Sequence, residues 1–389
     1  MRIAVLGGSG TQGRAAVLDL ARSLRVDEVV SVDSQPDEFE SLQAFGDFSN
    51  VRSVALDAGD YGALVGLLEA IDVVVDLLPR HFMAKVCAAA VEAGTGVVNT
   101  NYASDIAHFD RSAREAGITI LPECGLDPGI DLVLYGEAAR RFDRLEVVRS
   151  YCGGFPEPSA ADNVLKYKIS WTWEGVLSTT MRHSRIVRTG RVIDIPAAHQ
   201  HDPEFVHEIE FPGLGTLEAI PNGMADEFTD QLGLGASIRE TGRYALRWPG
   251  WSDFWRPLKA LGFLSRDPVA GLTGEVSPFE MVDKLVGPQL AYGADEKDLV
   301  AMVNVFEGLL DGRPTRLTSR LRMERDLETG LLAMSRAVGF TASIAAQMIA
   351  AGEITGPGVL APAVDIPGGR FLEELADRGI DVVEEIEAV

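Results

Sequence analysis

Gly7-Gly8-Ser9-Gly10-Thr11-Gln12-Gly13 is the first stretch of this chain whose residue types and spacing can do chemistry. A turn stripped of side chains lets backbone N–H groups come close to a pyrophosphate. In that arrangement Gly8 permits the tight turn, Gly10 the close approach, and Gly13 the packing of the next helix near the preceding strand. Ser9, Thr11 and Gln12 belong to the same loop and are expected to bind the cofactor with it. Asp33 stands 20 residues beyond Gly13, where a carboxylate accepts bonds from both ribose hydroxyls. It would repel a 2′-phosphate, and Ser34-Gln35-Pro36 brings no arginine to hold one. NAD is therefore expected over NADP.

The elements needed to position these residues are legible around them. Ile3 to Leu6 is a short apolar run, as in a buried parallel strand. Ala15 to Leu24 reads as a helix, with Ala16, Leu20 and Leu24 four residues apart. Val29 to Val32 is a second apolar run ending at Asp33. Strand, glycine turn, helix, strand and acid make the fingerprint of a dinucleotide-binding unit. The alternation continues with strands at Val51–Leu56, Ile71–Leu78, Gly96–Thr100 and Ile118–Leu121. Helices read at Tyr61–Glu69, Phe82–Glu92 and Ile106–Ala116. Six strands separated by helices predict an α/β, doubly wound parallel sheet of the Rossmann type. Ligands in such sheets lie beyond the carboxyl ends of strands. Asp57, Leu78-Pro79, Asn101-Tyr102 and Glu123 are thereby placed on the functional rim.

The remainder predicts a second domain. At 389 residues the chain exceeds the ~250–300 at which one core stops growing. After the turn cluster Gly125 to Gly129, a helix is expected over Ile130–Phe142. Strand-like runs follow at Leu145–Tyr151, Ile186–Val192, Val300–Val305 and Arg316–Met323. They suggest an α+β substrate domain with an antiparallel sheet. The expected division is 1–125 for nucleotide binding and 126–330 for the second domain. Residues 331–389, with a buried helix over Thr341–Ala351, are expected to return to the first.

Composition narrows the partners. A formal net charge of −23 repels nucleic acid and anionic membranes, whose binding depends on lysine and arginine. Cys87, Cys124 and Cys152 form neither a disulfide framework nor a CxxC pair. No apolar run reaches the ~18 residues of a membrane span, and Met1-Arg2 leads directly into a strand-like segment. A cytoplasmic chain is expected. His199, His201 and His207 match no zinc spacing, so no metal is expected.

Three stretches resemble the saccharopine dehydrogenase family. One runs from Thr100-Asn101-Tyr102-Ala103-Ser104 through Glu123-Cys124-Gly125-Leu126-Asp127-Pro128-Gly129-Ile130-Asp131. Another is Ser150-Tyr151-Cys152-Gly153-Gly154-Phe155-Pro156, continuing to Tyr167-Lys168 and Ser170-Trp171. The third, Ala245-Leu246-Arg247-Trp248-Pro249-Gly250-Trp251, is similar to the family's Leu-Arg-Tyr-x-Gly-Phe segment. The resemblance implies hydride transfer between a nicotinamide cofactor and a C–N bond of an amino-acid substrate. It also implies that Tyr102, Asp127, Leu246 and Arg247 contact substrate, with Cys152 in the same cleft. Tyr102, Asp127 and Cys152 are the residues nearest the chemistry on that reading, and a homodimer is expected by the same analogy. Each residue also has a purely structural reading: Tyr102 as packing, Asp127 as a turn former, Cys152 as core, and Arg247 as the partner of a structural acid.

One departure bears on substrate. Glutamate-forming members follow a Pro-Asn pair with an arginine, whereas this chain has Pro221-Asn222-Gly223. Arg239 or Arg243 is the expected substitute. The expectation is an NAD-preferring oxidoreductase acting on a saccharopine-like amine. The alternatives are a lysine 6-dehydrogenase, which deaminates the ε-amine, and a catalytically silent nicotinamide-binding sensor.

Overall fold

The computed structural model describes residues 1–271 and 274–389. The chain divides into two compact units, Met1–Glu137 with Glu328–Val382, and Ala138–Leu327 with Val383–Val389.

The first unit opens with β1 (Arg2–Leu6), α1 (Thr11–Arg22) and β2 (Glu28–Asp33). It continues with β3 (Val51–Ala55), α2 (Tyr61–Leu68), β4 (Val73–Asp76), α3 (Met83–Ala93), β5 (Gly96–Asn99), α4 (Asp110–Ala116), β6 (Thr119–Leu121) and α5 (Ile130–Arg141). These six strands are parallel, in the order β6-β5-β4-β1-β2-β3. The order reverses at β1, so the crevice beyond its carboxyl end is where such a sheet takes a ligand. β2 and β3 are joined without an α-helix, by short 3₁₀ turns at Gln43–Phe45 and Phe48–Asn50. Eight residues from 34 to 50 are among Asp, Asn, Pro, Gly and Ser types that favour turns, and no apolar period survives across them.

The second unit is built on a mixed sheet. Its elements are β7 (Arg144–Pro156), α6 (Trp173–Thr179), β8 (Ser184–Arg188), β9 (Arg191–Ile195), β10 (His207–Phe211), β11 (Gly215–Pro221), α7 (Ala225–Gln231) and β12 (Glu240–Arg247). They are followed by α8 (Trp251–Ala260), α9 (Pro278–Val286), β13 (Asp298–Leu310) and β14 (Arg313–Glu324). The sheet runs β10-β11-β12-β7-β13-β14, with β8 on β12 and β9 on β8. Most neighbours are antiparallel, as expected, but β12 and β7 are parallel. The single strand expected over 186–192 is instead a hairpin. Thr189 and Gly190 take φ of 52° and 74°, the positive-φ pair that closes a two-residue turn.

The chain then returns to the first unit through α10 (Ala333–Ala350), β15 (Gly358–Val359), α11 (Pro362–Asp365) and α12 (Gly368–Ala376). β15 adds a seventh parallel strand beside β6. α10 lies against α1 at Gly339, where a Cβ would stand 2.6 Å from the Gln12 carbonyl oxygen. Buried Asp19 of α1 accepts from Ser343 of α10 at 2.5 Å and Arg378 at 2.6 Å. The final strand, β16 (Val382–Ala388), joins β14. The last seven residues therefore belong to the second unit, because a strand goes where its backbone bonds are met.

Candidate functional site

In the first unit the glycine loop leaves β1 and opens α1. Gly7 carries the positive φ, 74°, and its N–H donates to the Val32 carbonyl at 2.8 Å. The left-handed turn position is thus Gly7, whereas Gly8 was expected to serve the turn. Gly8 is small for another reason: a Cβ there would lie 2.2 Å from Ser31 Oγ. A Cβ on Gly13 would lie 2.0 Å from the Gly7 carbonyl oxygen, so only glycine lets α1 start this close to β1. Gly10 faces little besides that same carbonyl, at 3.1 Å from a built Cβ. No side chain caps α1, and Gly10, Thr11 and Gln12 are solvent-facing or half-buried. The result is a bare helix start with its N–H groups outward, which fits a dinucleotide pyrophosphate.

Asp33 is held in place beside it. One carboxylate oxygen accepts from the Ser9 N–H at 3.3 Å, and the other from Gln35 N–H at 3.1 Å and Ser34 Oγ at 3.4 Å. On the opposite side of the turn, Leu78 approaches Gly7, with its Cδ2 3.5 Å from a built Cβ. Leu78 is half-buried and Pro79 is exposed. Asp57 is different. It is exposed, and its carboxylate caps its own turn by accepting from Gly59 N–H at 2.7 Å.

The next strand ends carry a polar network that joins Asn101, Tyr102 and Glu123 of the expected rim to Asp76 and Asn99, which sequence reasoning did not single out. Asp76, at the end of β4, accepts from Asn99 Nδ2 at 2.7 Å and from Leu78 N–H at 3.1 Å. Burial pushes its carboxyl up to about 6. Asn99 Oδ1 accepts from Asn101 N–H at 2.6 Å, and Glu123 accepts from Ala103 N–H at 3.0 Å. Tyr102, half-buried, sits between these two contacts and opens the turn Ala103–Asp105. His81 is exposed and packs on Phe82.

Asp127 is half-buried and precedes Pro128 through a cis bond. Gly129 completes the turn at φ 150°, where a Cβ would lie 2.0 Å from the Gly125 carbonyl oxygen. The neighbouring Asp131 is fully buried and accepts from Gly129 N–H at 2.9 Å. Burial first, and the Glu123 carboxylate next, push it up to about 8.

In the second unit, Arg247 ends β12. It is 7% exposed. Its Nη1 donates to its neighbour's carbonyl, that of Leu246, at 2.7 Å, and the guanidinium lies over the rings of Tyr167 and Trp251. Its Nε has no hydrogen-bond partner, and among the described residues no carboxylate forms an ion pair with it. The structural acid of its alternative reading is not found among the described residues. Glu218, its register partner on β11, accepts instead from Gly250 N–H at 3.0 Å and Ser252 N–H at 2.8 Å. His201 and Lys259 are near neighbours, 3.0 Å apart. Burial, then the charges of Lys259 and Arg247, hold His201 down to about 3, and burial lowers Lys259 to about 8.

Cys152 is buried on β7, in register with Ala245 of β12. Leu246 is fully buried, its side chain resting on Gly153. Trp251 and Trp255 pack with Tyr167 and Trp173 in the core, while Trp248 donates to the Pro156 carbonyl at 2.9 Å. The three histidines are dispersed: His199 bonds Asp202, His207 meets Tyr151, and His201 meets Lys259. Near Gly223, Arg239 is exposed on the surface. Arg243 is buried over Phe228, and its carbonyl accepts from Asn222 N–H. The arginine that reaches Asn222 is Arg182, at 2.9 Å from Oδ1. Sequence spacing hid it, because 40 residues separate the two.

Residues 125–380 match the family model of the saccharopine dehydrogenase C-terminal domain, and residues 3–121 that of the saccharopine dehydrogenase NADP binding domain. The chain belongs to the saccharopine dehydrogenase family. Among relatives of this saccharopine dehydrogenase family chain, mouse mitochondrial alpha-aminoadipic semialdehyde synthase is 27% identical, over 97% of this chain and 47% of its own. The chain spans about half the length of the mammalian relatives it matches. Saccharopine dehydrogenase [NADP(+), L-glutamate-forming] of Saccharomyces cerevisiae is 26% identical over 87% of this chain and 89% of that protein. The solved apo structure of the L-Glu-forming enzyme from that yeast superposes with a TM-score of 0.85 at 23% identity, covering all of both chains. Homospermidine synthase of Legionella pneumophila, solved with NAD, gives 0.64 at 11% identity, over 99% of this chain and 91% of that one. The fold is therefore the Rossmann-plus-mixed-sheet architecture of this family. No helix among the described residues is long and apolar enough to cross a membrane.

Proposed function

We propose that the chain is a nicotinamide-dependent oxidoreductase acting on the C–N bond of a saccharopine-like amino acid. The observation that carries this reading is Arg247, a buried guanidinium with an unmet N–H and no ion-paired carboxylate among the described residues. Such a group is costly unless a ligand completes it, and a substrate carboxylate meets it with paired, charge-assisted bonds. Lys259, at about 8, adds positive charge beside the neutral His201. The name of the yeast relative favours saccharopine chemistry over oxidative deamination of lysine.

A nicotinamide dinucleotide would supply the hydride donor or acceptor. The glycine turn and the bare start of α1 would hold its pyrophosphate, and Asp33 its adenosine ribose. Because Asp33 is already oriented by Ser9 and Gln35, binding costs little reorganisation. Its negative charge supports NAD as the preferred form, although the family model and the yeast relative carry NADP in their names. Tyr102, Asp127 and Cys152 are the further substrate contacts to be tested, each by its own substitution.

The test is decay of NADH or NADPH fluorescence with aminoadipate semialdehyde plus glutamate, and the reverse with saccharopine or lysine. Turnover with glutamate or saccharopine supports the reading. Turnover with lysine alone moves the chain to the deaminating class, and binding without turnover of any of these leaves a different substrate or a sensor.

A further inference from the structure

The loop between β2 and β3 folds back over the start of α1. Asp37 N–H donates to Ser9 Oγ at 2.9 Å, while the Ser9 N–H reaches Asp33. One glycine-loop residue thus ties Asp33 and Asp37 together on the ribose side. Arg14, the first residue after Gly13, points into this loop. Its guanidinium pairs with the Asp37 carboxylate, donates to Ser41 Oγ at 2.6 Å, and lies 5.9 Å from the centre of the Phe39 ring. The other Asp37 oxygen accepts from Phe39 N–H at 2.9 Å, and the Asp37 carbonyl accepts from Ser53 Oγ at 2.7 Å. Asp37 is fixed at four atoms, and through it so is Arg14.

A dinucleotide carrying a 2′-phosphate needs an arginine close to the ribose. Arg14 is the arginine that this loop brings beside Ser9. We propose that Asp37 sets cofactor selectivity in this chain by sequestering Arg14, so that a 2′-phosphate finds two carboxylates and no available guanidinium. The proposal rests on the nicotinamide-binding reading above and deepens it. It assigns selectivity to an ion pair in addition to Asp33, and makes the preference adjustable by one uncharged substitution.

The experiment measures direct binding of NADH and NADPH by fluorescence and calorimetry, without substrate. Asp37→Asn keeps an amide oxygen for Phe39 N–H but removes the charge. It should raise the NADPH-to-NADH affinity ratio at least tenfold, as expected when a charge-assisted bond becomes available. The double variant Asp37→Asn with Arg14→Met should return the ratio close to that of the parent, and Asp37→Glu should hold it there. Thermal melting identifies any variant that fails to fold, and Asp37→Ser then serves in place of Asp37→Asn. An unchanged ratio in the folded variant overturns the proposal, as does a gain that survives loss of Arg14. A parent chain that binds neither dinucleotide overturns the nicotinamide reading instead.

Discussion

Gly153 on β7 lies beneath Leu246 on β12 so closely that a Cβ would sit 2.3 Å from the Leu246 carbonyl oxygen. That oxygen also accepts the Nη1 bond of Arg247. The glycine of one motif therefore fixes the backbone anchor of the arginine in another. Gly153→Ala should destabilise the second unit by about 1–3 kcal/mol, the range for overpacking a tight core. It should also raise KM for a carboxylate substrate, because the Arg247 anchor shifts with the carbonyl. Denaturant melts and steady-state kinetics read the two effects separately, and a variant unchanged in both removes the link.

Arg247→Ala should raise KM for a carboxylate-bearing substrate about 10–100-fold, the worth of a charge-assisted bond. Arg247→Lys should not restore it, since an ammonium cannot reproduce the planar fork between Tyr167 and Trp251. A KM equal to that of the parent in Arg247→Ala would remove this side chain from the site.

Asp33→Ala should weaken NADH binding far more than NADPH binding, because only the ribose hydroxyls of NADH gain from the carboxylate. Equal losses for both would mean that the effect comes from the loop held by Ser9 and Gln35, and not from a contact to the ribose.

Asp131 gives a pH dependence with a definite sign. Its folded pKa is raised, to about 8, above the ~3.9 of an unfolded aspartate. The fold therefore holds the proton more tightly, and stability decreases as pH rises from about 4 to about 8. Asp131→Asn removes this contribution while an amide oxygen still accepts from Gly129 N–H. Relative to the parent, the variant should gain about 1 kcal/mol per pH unit across that window. Melting temperatures at pH 5 and pH 8 check it. A difference that stays constant with pH would show that Asp131 is ionised throughout.

Gly13→Ala should abolish dinucleotide binding and lower the melting temperature, since its Cβ would lie 2.0 Å from the Gly7 carbonyl oxygen. Gly66→Ala, in a helix where a Cβ meets nothing within 4 Å, is the control and should be neutral or slightly stabilising.

Much of the first unit was legible because its signals are local. A buried parallel strand is a short apolar run, and a glycine turn is written in consecutive residues, so β1, α1, β2 and Asp33 stood where expected. The long segment after β2 was not legible, for its turns and its Arg14–Asp37 pair depend on side chains meeting across a loop. The hairpin at Thr189-Gly190 was missed because the apolar run on either side reads as one strand until the positive φ at the turn is known.

The sequence by itself determined the glycine cradle, the family motifs and the excess of negative charge, because each is a property of residue type and near-neighbour spacing. Only the tertiary structure decided that no carboxylate among the described residues pairs with Arg247, that Arg182 reaches Asn222, and that Asp76 and Asp131 are buried acids. Those facts depend on which distant residues share a low-dielectric interior, where an absent partner or a lost hydration shell shifts a charge far more than it would in water.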